Sequence, residues 1–187
     1  MAANSSAATA IIATHLAASA AALTWMAIEW VRAGKPTSIG LVTGCVAGLA
    51  SITPASGYVG PVGAISIGIA GGAVCFIVTL FVKSRLRIDD SLDVFAVHGV
   101  GGMLGSVLLA FAAAPALGGR GFAKGMDVAA QLGAQLLGVG VTALWSAVMT
   151  AVLVLAIGAL VGTRVSAEEE YDGLDLAVHG ERAYDHS

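Results

Sequence analysis

Charge is what this sequence has least of. Of its 187 residues only 11% are Asp, Glu, Lys or Arg, while 57% are hydrophobic, and the mean hydropathy is +0.88. A water-soluble globular domain carries about a quarter charged residues, so that class is excluded, and no nucleic-acid partner is expected. Cysteine is also scarce. Cys45 and Cys75 both lie inside apolar runs, without the spacing of a metal site or the setting of a disulfide framework, and read as small core residues. The N-terminal stretch lacks a basic n-region and the apolar run behind it is too long for a cleavable signal, so the first segment is expected to stay in a membrane. Missing as well are a Ser-His-Asp set, zinc-ligand spacing, a phosphate-binding loop and paired carboxylates at membrane depth. No enzymatic activity, metal or cofactor is therefore expected.

What is present points to lipid as the solvent. Twenty-five glycines sit within apolar stretches, where small residues let helix backbones approach one another. Runs of about 20 apolar residues between charged or turn-forming breaks predict five spans, at about 7–30, 39–54, 61–82, 93–115 and 128–162. The first ends in an interfacial cluster of Glu29, Trp30, Arg32, Lys35 and Pro36. The second is short and breaks at Thr53-Pro54-Ala55-Ser56-Gly57-Tyr58, irregular backbone expected to line a cavity or to be buried against neighbours. The fifth is longer than a bilayer needs and is expected to tilt or project. The predicted organisation is a transmembrane domain over 1–163 and a polar tail over 164–187. Arg32 and Lys35, then Lys83, Arg85 and Arg87, then Arg164 fall on one side if the spans alternate, against only Arg120 and Lys124 on the other. This bias predicts an inner (plasma) membrane protein with its N-terminus outside and its C-terminus in the cytoplasm.

Chemistry is sought among polar residues at membrane depth, where each is costly. His98 stands about five residues into the fourth span. Gly101, Gly102 and Gly105 follow it at spacings that, at 100° per residue, share its face. Gly99, Gly101, Gly102 and Gly105 read as a packing seam around one core histidine; alternatively, the missing side chains leave a channel beside the ring. A desolvated imidazole rests in its neutral form with one donor and one acceptor nitrogen, which suits a small solute that gives and takes protons. Asp89, Asp90 and Asp93 precede it. Asp90 or Ser91 makes a good helix N-cap, and the alternative is a more buried carboxylate that steadies the histidine helix or a nearby cation. His15 reads as a packing or interfacial residue, and Gly40, Gly44 and Gly48 as a helix-packing face.

The stretch from Asp89 through Val94, His98 and Gly102 closely resembles the signature of the ammonium transporter family, Amt/Mep/Rh, around its second pore histidine. Three more segments agree in order. They are Leu23-Thr24-Trp25 through Glu29-Trp30 with Gly34-Lys35-Pro36, then Ala47 through Tyr58, and in the tail Gly173-Leu174-Asp175 with His179 through Tyr184. The resemblance covers nearly the whole chain.

It implies an all-α membrane fold, part of an eleven-helix trimer in which two inverted five-helix repeats enclose a narrow pore in each subunit. The chain would correspond to the second repeat, the last helix and the tail. His98 matches the second pore histidine, Val94 and Thr53 would sit near the pore wall, and Asp90 and Asp93 match acidic positions of the motif. The implied cargo is ammonium, deprotonated on entry, because stripping water from an ion in a dry pore costs far more than moving neutral ammonia. The first half, which in the family supplies the partner histidine, the aromatic gate and the outer recruitment site, has no counterpart here. A truncated gene, a split gene or an alternative start at Met1 would each account for that, and the chain alone is expected not to conduct. Gly173, Asp175, His179, Gly180 and Glu181 stand where the resemblance places a regulatory tail that docks a PII-type signalling protein. A solvated acidic tail is the alternative, and a non-transporting structural or sensor membrane protein is a third reading.

Overall fold

The computed structural model describes residues 3–181, and every regular element in that range is helical. The chain resolves into two compact units, Met1–Gly140 and Val141–Ser187. In the first unit α1 (Ser5–Ala33), α2 (Ser38–Ile52), α3 (Pro61–Phe81) and α4 (Gly101–Ala112) pack together, α1 on α2 and α3, and α4 on α2 and α3. α5 (Val128–Val161) is one continuous helix that crosses the boundary between the units and has no buried residue. The second unit also holds α6 (Ala167–Asp172) and a π-helical turn, Asp175–His179.

Small side chains set the packing. The inner stripe of α1 is Ala13, Ala17 and Ala21, four residues apart, ending on Trp25. α2 presents Gly40, Gly44, Ala47, Gly48 and Ser51, and α3 presents Gly68, Gly71 and Gly72. A methyl group at Gly48 would lie 2.5 Å from the Ala17 carbonyl oxygen, and one at Gly72 would lie 2.7 Å from that of Ala21. The helices therefore meet backbone to backbone, as expected where lipid supplies no hydrophobic driving force and close van der Waals contact has to hold the bundle. Trp25 and Phe76 anchor one end with an edge-to-face contact, centroids 5.1 Å apart. Cys75 is buried in that cluster and Cys45 is partly buried; both are free thiols.

The helix ends are built from local chemistry. α1 closes on Gly34 in the left-handed region (φ 74), whose N–H bonds the Trp30 carbonyl. Thr37 then caps α2, its hydroxyl accepting from Gly40 N at 2.8 Å, while the Glu29 carboxylate accepts from Thr37 N at 2.9 Å and from its hydroxyl. Among the described residues, four helical stretches are long and apolar enough to cross a membrane: Ser5–Ala33, Pro61–Leu86, Phe95–Ala112 and Val128–Val161. α2, read in the sequence as the second of five spans, is only 15 residues and about 22 Å long, against a hydrocarbon core of about 30 Å. The turn from Thr53 to Tyr58 continues it, and Arg120 N reaches back to bond the Tyr58 carbonyl.

Candidate functional site

The candidate site grows from the junction between α3 and the His98 helix. α3 runs into a π-helical turn, Val82–Leu86, that ends on Arg87 in the left-handed region (φ 54). Beyond a short link, the Asp90 carboxylate accepts from Val94 N and Phe95 N, each at 2.9 Å. Asp90 thus caps the next helix. Ser91, the other capping candidate in the sequence, instead donates to Asp89 Oδ1 at 3.1 Å. Asp93 is the second non-glycine residue at positive φ (57) among the described residues, and its carboxylate meets Lys83 Nζ at 2.7 Å. Its side chain is only 15% exposed. The sequence alternative of a more buried carboxylate beside a cation therefore describes Asp93, with Lys83 as the cation.

Residues Phe95–Val100 form a second π-helical turn that leads into α4, and His98 lies inside it. Counting at 100° per residue assumes α-geometry, but i→i+5 bonding advances the chain by a smaller angle per residue and shifts the phase. The expected common face for His98, Gly101, Gly102 and Gly105 is consequently split. Ala96 and Val97 point inward, at 1% and 2% exposure, whereas Val94 and Phe95 are 50% and 56% exposed and His98 is exposed with them. Gly101 and Gly105 pack inward. A methyl at Gly101 would stand 3.1 Å from Cys75 Sγ, and one at Gly105 would overlap the Ser51 carbonyl. A methyl at Gly102 would meet no other part of the bundle within 4 Å, and one at Gly99 would meet only the Phe95 ring at 3.5 Å. Gly99 and Gly102 are therefore not seam residues among the described contacts.

Thr53 is exposed just past the end of α2, and its hydroxyl donates to the Leu49 carbonyl at 2.7 Å. It follows Ser51, which touches Gly105, so Thr53 and Val94 stand at different depths along the bundle. Lys83 and Ser51 are the residues that sequence reasoning passed over. Lys83 was read only as part of a basic loop, although an opposite-charge pair across a short link was a usable signal. Nothing in the sequence marks Ser51, whose buried hydroxyl has no hydrogen-bond partner among the described residues. His15 is exposed on α1.

In the second unit Ser166 caps α6, accepting from Glu169 N, while the Glu169 carboxylate accepts from Ser166 N at 2.8 Å and from its hydroxyl, a reciprocal capping box. The backbone N–H of Ser166 first, and its hydroxyl second, hold the Glu169 carboxyl below the ordinary carboxylate range. Arg164 pairs with both oxygens of Glu170 at 3.1 and 3.0 Å. Gly173 (φ 99) ends α6, Asp175 opens the π turn that His179 closes, and Gly180 (φ 69) caps it, with Glu181 N bonding the Asp175 carbonyl. Of the tail motif, Arg182, Ala183 and Tyr184 lie outside the described residues.

The profile of the Ammonium Transporter Family matches residues 1–184. The chain belongs to that family. It is 47% identical over 183 residues to an ammonium transporter of Aquifex aeolicus, covering 97% of this chain and 43% of that protein. Against ammonium transporter Amt1 of Archaeoglobus fulgidus the identity is 44%, over 98% of this chain and 46% of that one. Among solved structures, one titled Sensor Amt Protein superposes with a TM-score of 0.84 at 32% identity, over 94% of this chain and 42% of that one. Saccharomyces cerevisiae Mep2 gives 0.74 at 36%, over 87% and 38%. The chain thus spans less than half the length of these relatives. The fold is that of part of an Amt/Mep transporter, all-helical, with helices of membrane-spanning length.

Proposed function

We propose that this chain serves ammonium transport as the C-terminal half of an Amt-type channel, with His98 on the pore wall. One observation carries the reading. Within the family motif, His98 and its neighbours Val94 and Phe95 are left uncovered, although Ala96 and Val97 of the same turn are packed inward. A packed core histidine would lie on the inner side. An uncovered apolar wall bearing one imidazole is what half of a narrow pore presents before the other half closes it, and an imidazole offers a proton donor and acceptor to ammonium and ammonia. Val94 and Thr53 then mark different depths of that wall, and the apolar lining favours passage of the neutral molecule. The same reading places the chain in the inner membrane, N-terminus outside and tail in the cytoplasm, as part of a homotrimer.

Labelled methylammonium uptake in cells without their own ammonium transporters tests this. Uptake is expected when the chain is co-expressed with the N-terminal half of a relative, not when it is expressed alone, and His98→Ala is expected to alter uptake with assembly intact. Uptake by the chain alone, or unaltered uptake with His98→Ala, would sink it.

A second reading, regulation through the tail by a PII-type signalling protein, is favoured by the turn from Asp175 to His179, which is capped at Gly180 yet exposed. Tail deletion that left PII recruitment to the assembled transporter unchanged would end that reading.

A further inference from the structure

The His98 turn is tied to the end of α3 by a set of contacts that needs a purpose. Asp93 sits at φ 57, a region that costs a side-chain-bearing residue energy and persists only where its surroundings enforce it. Two contacts do so. Its largely covered carboxylate is held at 2.7 Å by Lys83, whose own side chain is exposed, and its carbonyl oxygen accepts from Val97 N at 2.8 Å. One residue therefore couples α3 directly to the amide next to His98. Asp90 fixes two of the intervening N–H groups, Val94 N and Phe95 N. The wide turn begins at Phe95, so the N–H groups of Val94, Phe95 and Val97 at its start are held by one or other of the two aspartates. π-helical turns are rare and occur mostly as single turns, often at functional sites. This one carries the histidine, and its smaller rotation per residue bears on which way the ring faces.

We infer that the Lys83–Asp93 ion pair is a positioning device that sets the rotational phase of the His98 turn, swinging His98 to the uncovered face while Ala96 and Val97 stay packed. Neither residue has to touch the solute. Release of Lys83 frees Asp93 to leave the left-handed region, and the turn then relaxes toward α-geometry, which rotates His98 relative to Gly101. The consequence for transport rests on the pore reading of His98; the consequence for the ring's orientation does not.

The test uses the full chain, purified into lipid nanodiscs with isotope-labelled histidine. Four histidines, at 15, 98, 179 and 186, keep the ring spectrum simple, and loss of one signal in His98→Gln assigns His98. Lys83→Met and Asp93→Asn are the working variants. Asparagine tolerates positive φ, so Asp93→Asn removes the charge without adding strain and guards against a misfolded Lys83→Met. The His98 ring signal is expected to move in both, with His15 unmoved, and to keep its wild-type position in Lys83→Arg. In the co-expressed transporter Lys83→Met should lower the maximal uptake rate between roughly tenfold and a hundredfold, the loss a small misplacement of a reacting group brings, with KM little changed. An unmoved His98 signal in both variants, with helicity and melting either intact or merely lowered, overturns the inference. A moved signal with unchanged uptake sustains the positioning role and overturns the pore role of His98.

Discussion

At the scale of single residues, glycine positions that look alike in the sequence separate sharply by environment. Gly105 lies against the Ser51 backbone and Gly102 against nothing. Gly105→Ala forces α4 off α2, and overpacking of this kind costs about 1–3 kcal/mol, so a lowered melting temperature in detergent is expected. Gly102→Ala should leave melting unchanged or raise it slightly, since alanine is the better helix former by about 1 kcal/mol. Uptake by the co-expressed transporter should nevertheless fall, because the added methyl enters the space beside His98. Equal melting losses for the two variants would contradict this division. The GxxxG spacing was legible in the chain, but the split between Gly101 and Gly102 was not. A wide turn upstream changes the phase, and no property of the glycines announces it.

At the scale of elements, two junctions invite direct tests. Thr37 serves twice, as the cap of α2 and as the partner of Glu29 across the α1–α2 turn. Thr37→Ala should cost about 1 kcal/mol or somewhat more, read as a lower thermal midpoint, while Thr43→Ala, whose hydroxyl only bonds back to Ile39 within α2, should cost less. In the tail the folded-state carboxyl of Glu169 is depressed relative to the unfolded chain, so the capping box stabilises α6 fully above the ordinary carboxylate range. The contribution is lost as pH falls through that range and then through the lower folded value. The Ser166 amide signal should accordingly titrate below the usual range of glutamate, and Ser166→Ala should return Glu169 toward that range. Capping signals of this type are written in the sequence because they act over three or four residues. The Lys83–Asp93 pair acts across ten, through a backbone conformation no pattern specifies.

At the scale of the whole molecule, the proposed orientation, argued from the distribution of basic residues, has a direct test. With Cys45 and Cys75 replaced by alanine, a cysteine at Lys124 should react with an impermeant maleimide on intact cells whose outer membrane has been opened. A cysteine at Arg85 should react only after the inner membrane is permeabilised. The reverse pattern would invert the topology. α5, apolar along its length and without a buried residue, shows how much of this chain's surface is built for surroundings other than water.

Composition and periodicity alone determined that the chain is a membrane-embedded helical protein, because low charge, apolar runs of spanning length and loop lysines and arginines are one-dimensional quantities. The ordered motifs around His98, Thr53 and Gly173 pointed to the family for a similar reason, since each is a local string. Tertiary structure decided which glycines carry contact, which aspartate caps and which is paired, and which way His98 faces. These depend on backbone dihedrals at Asp93 and on a π turn, and both rest on contacts that exist only once the backbone has taken that particular path, which neither propensity nor spacing specifies.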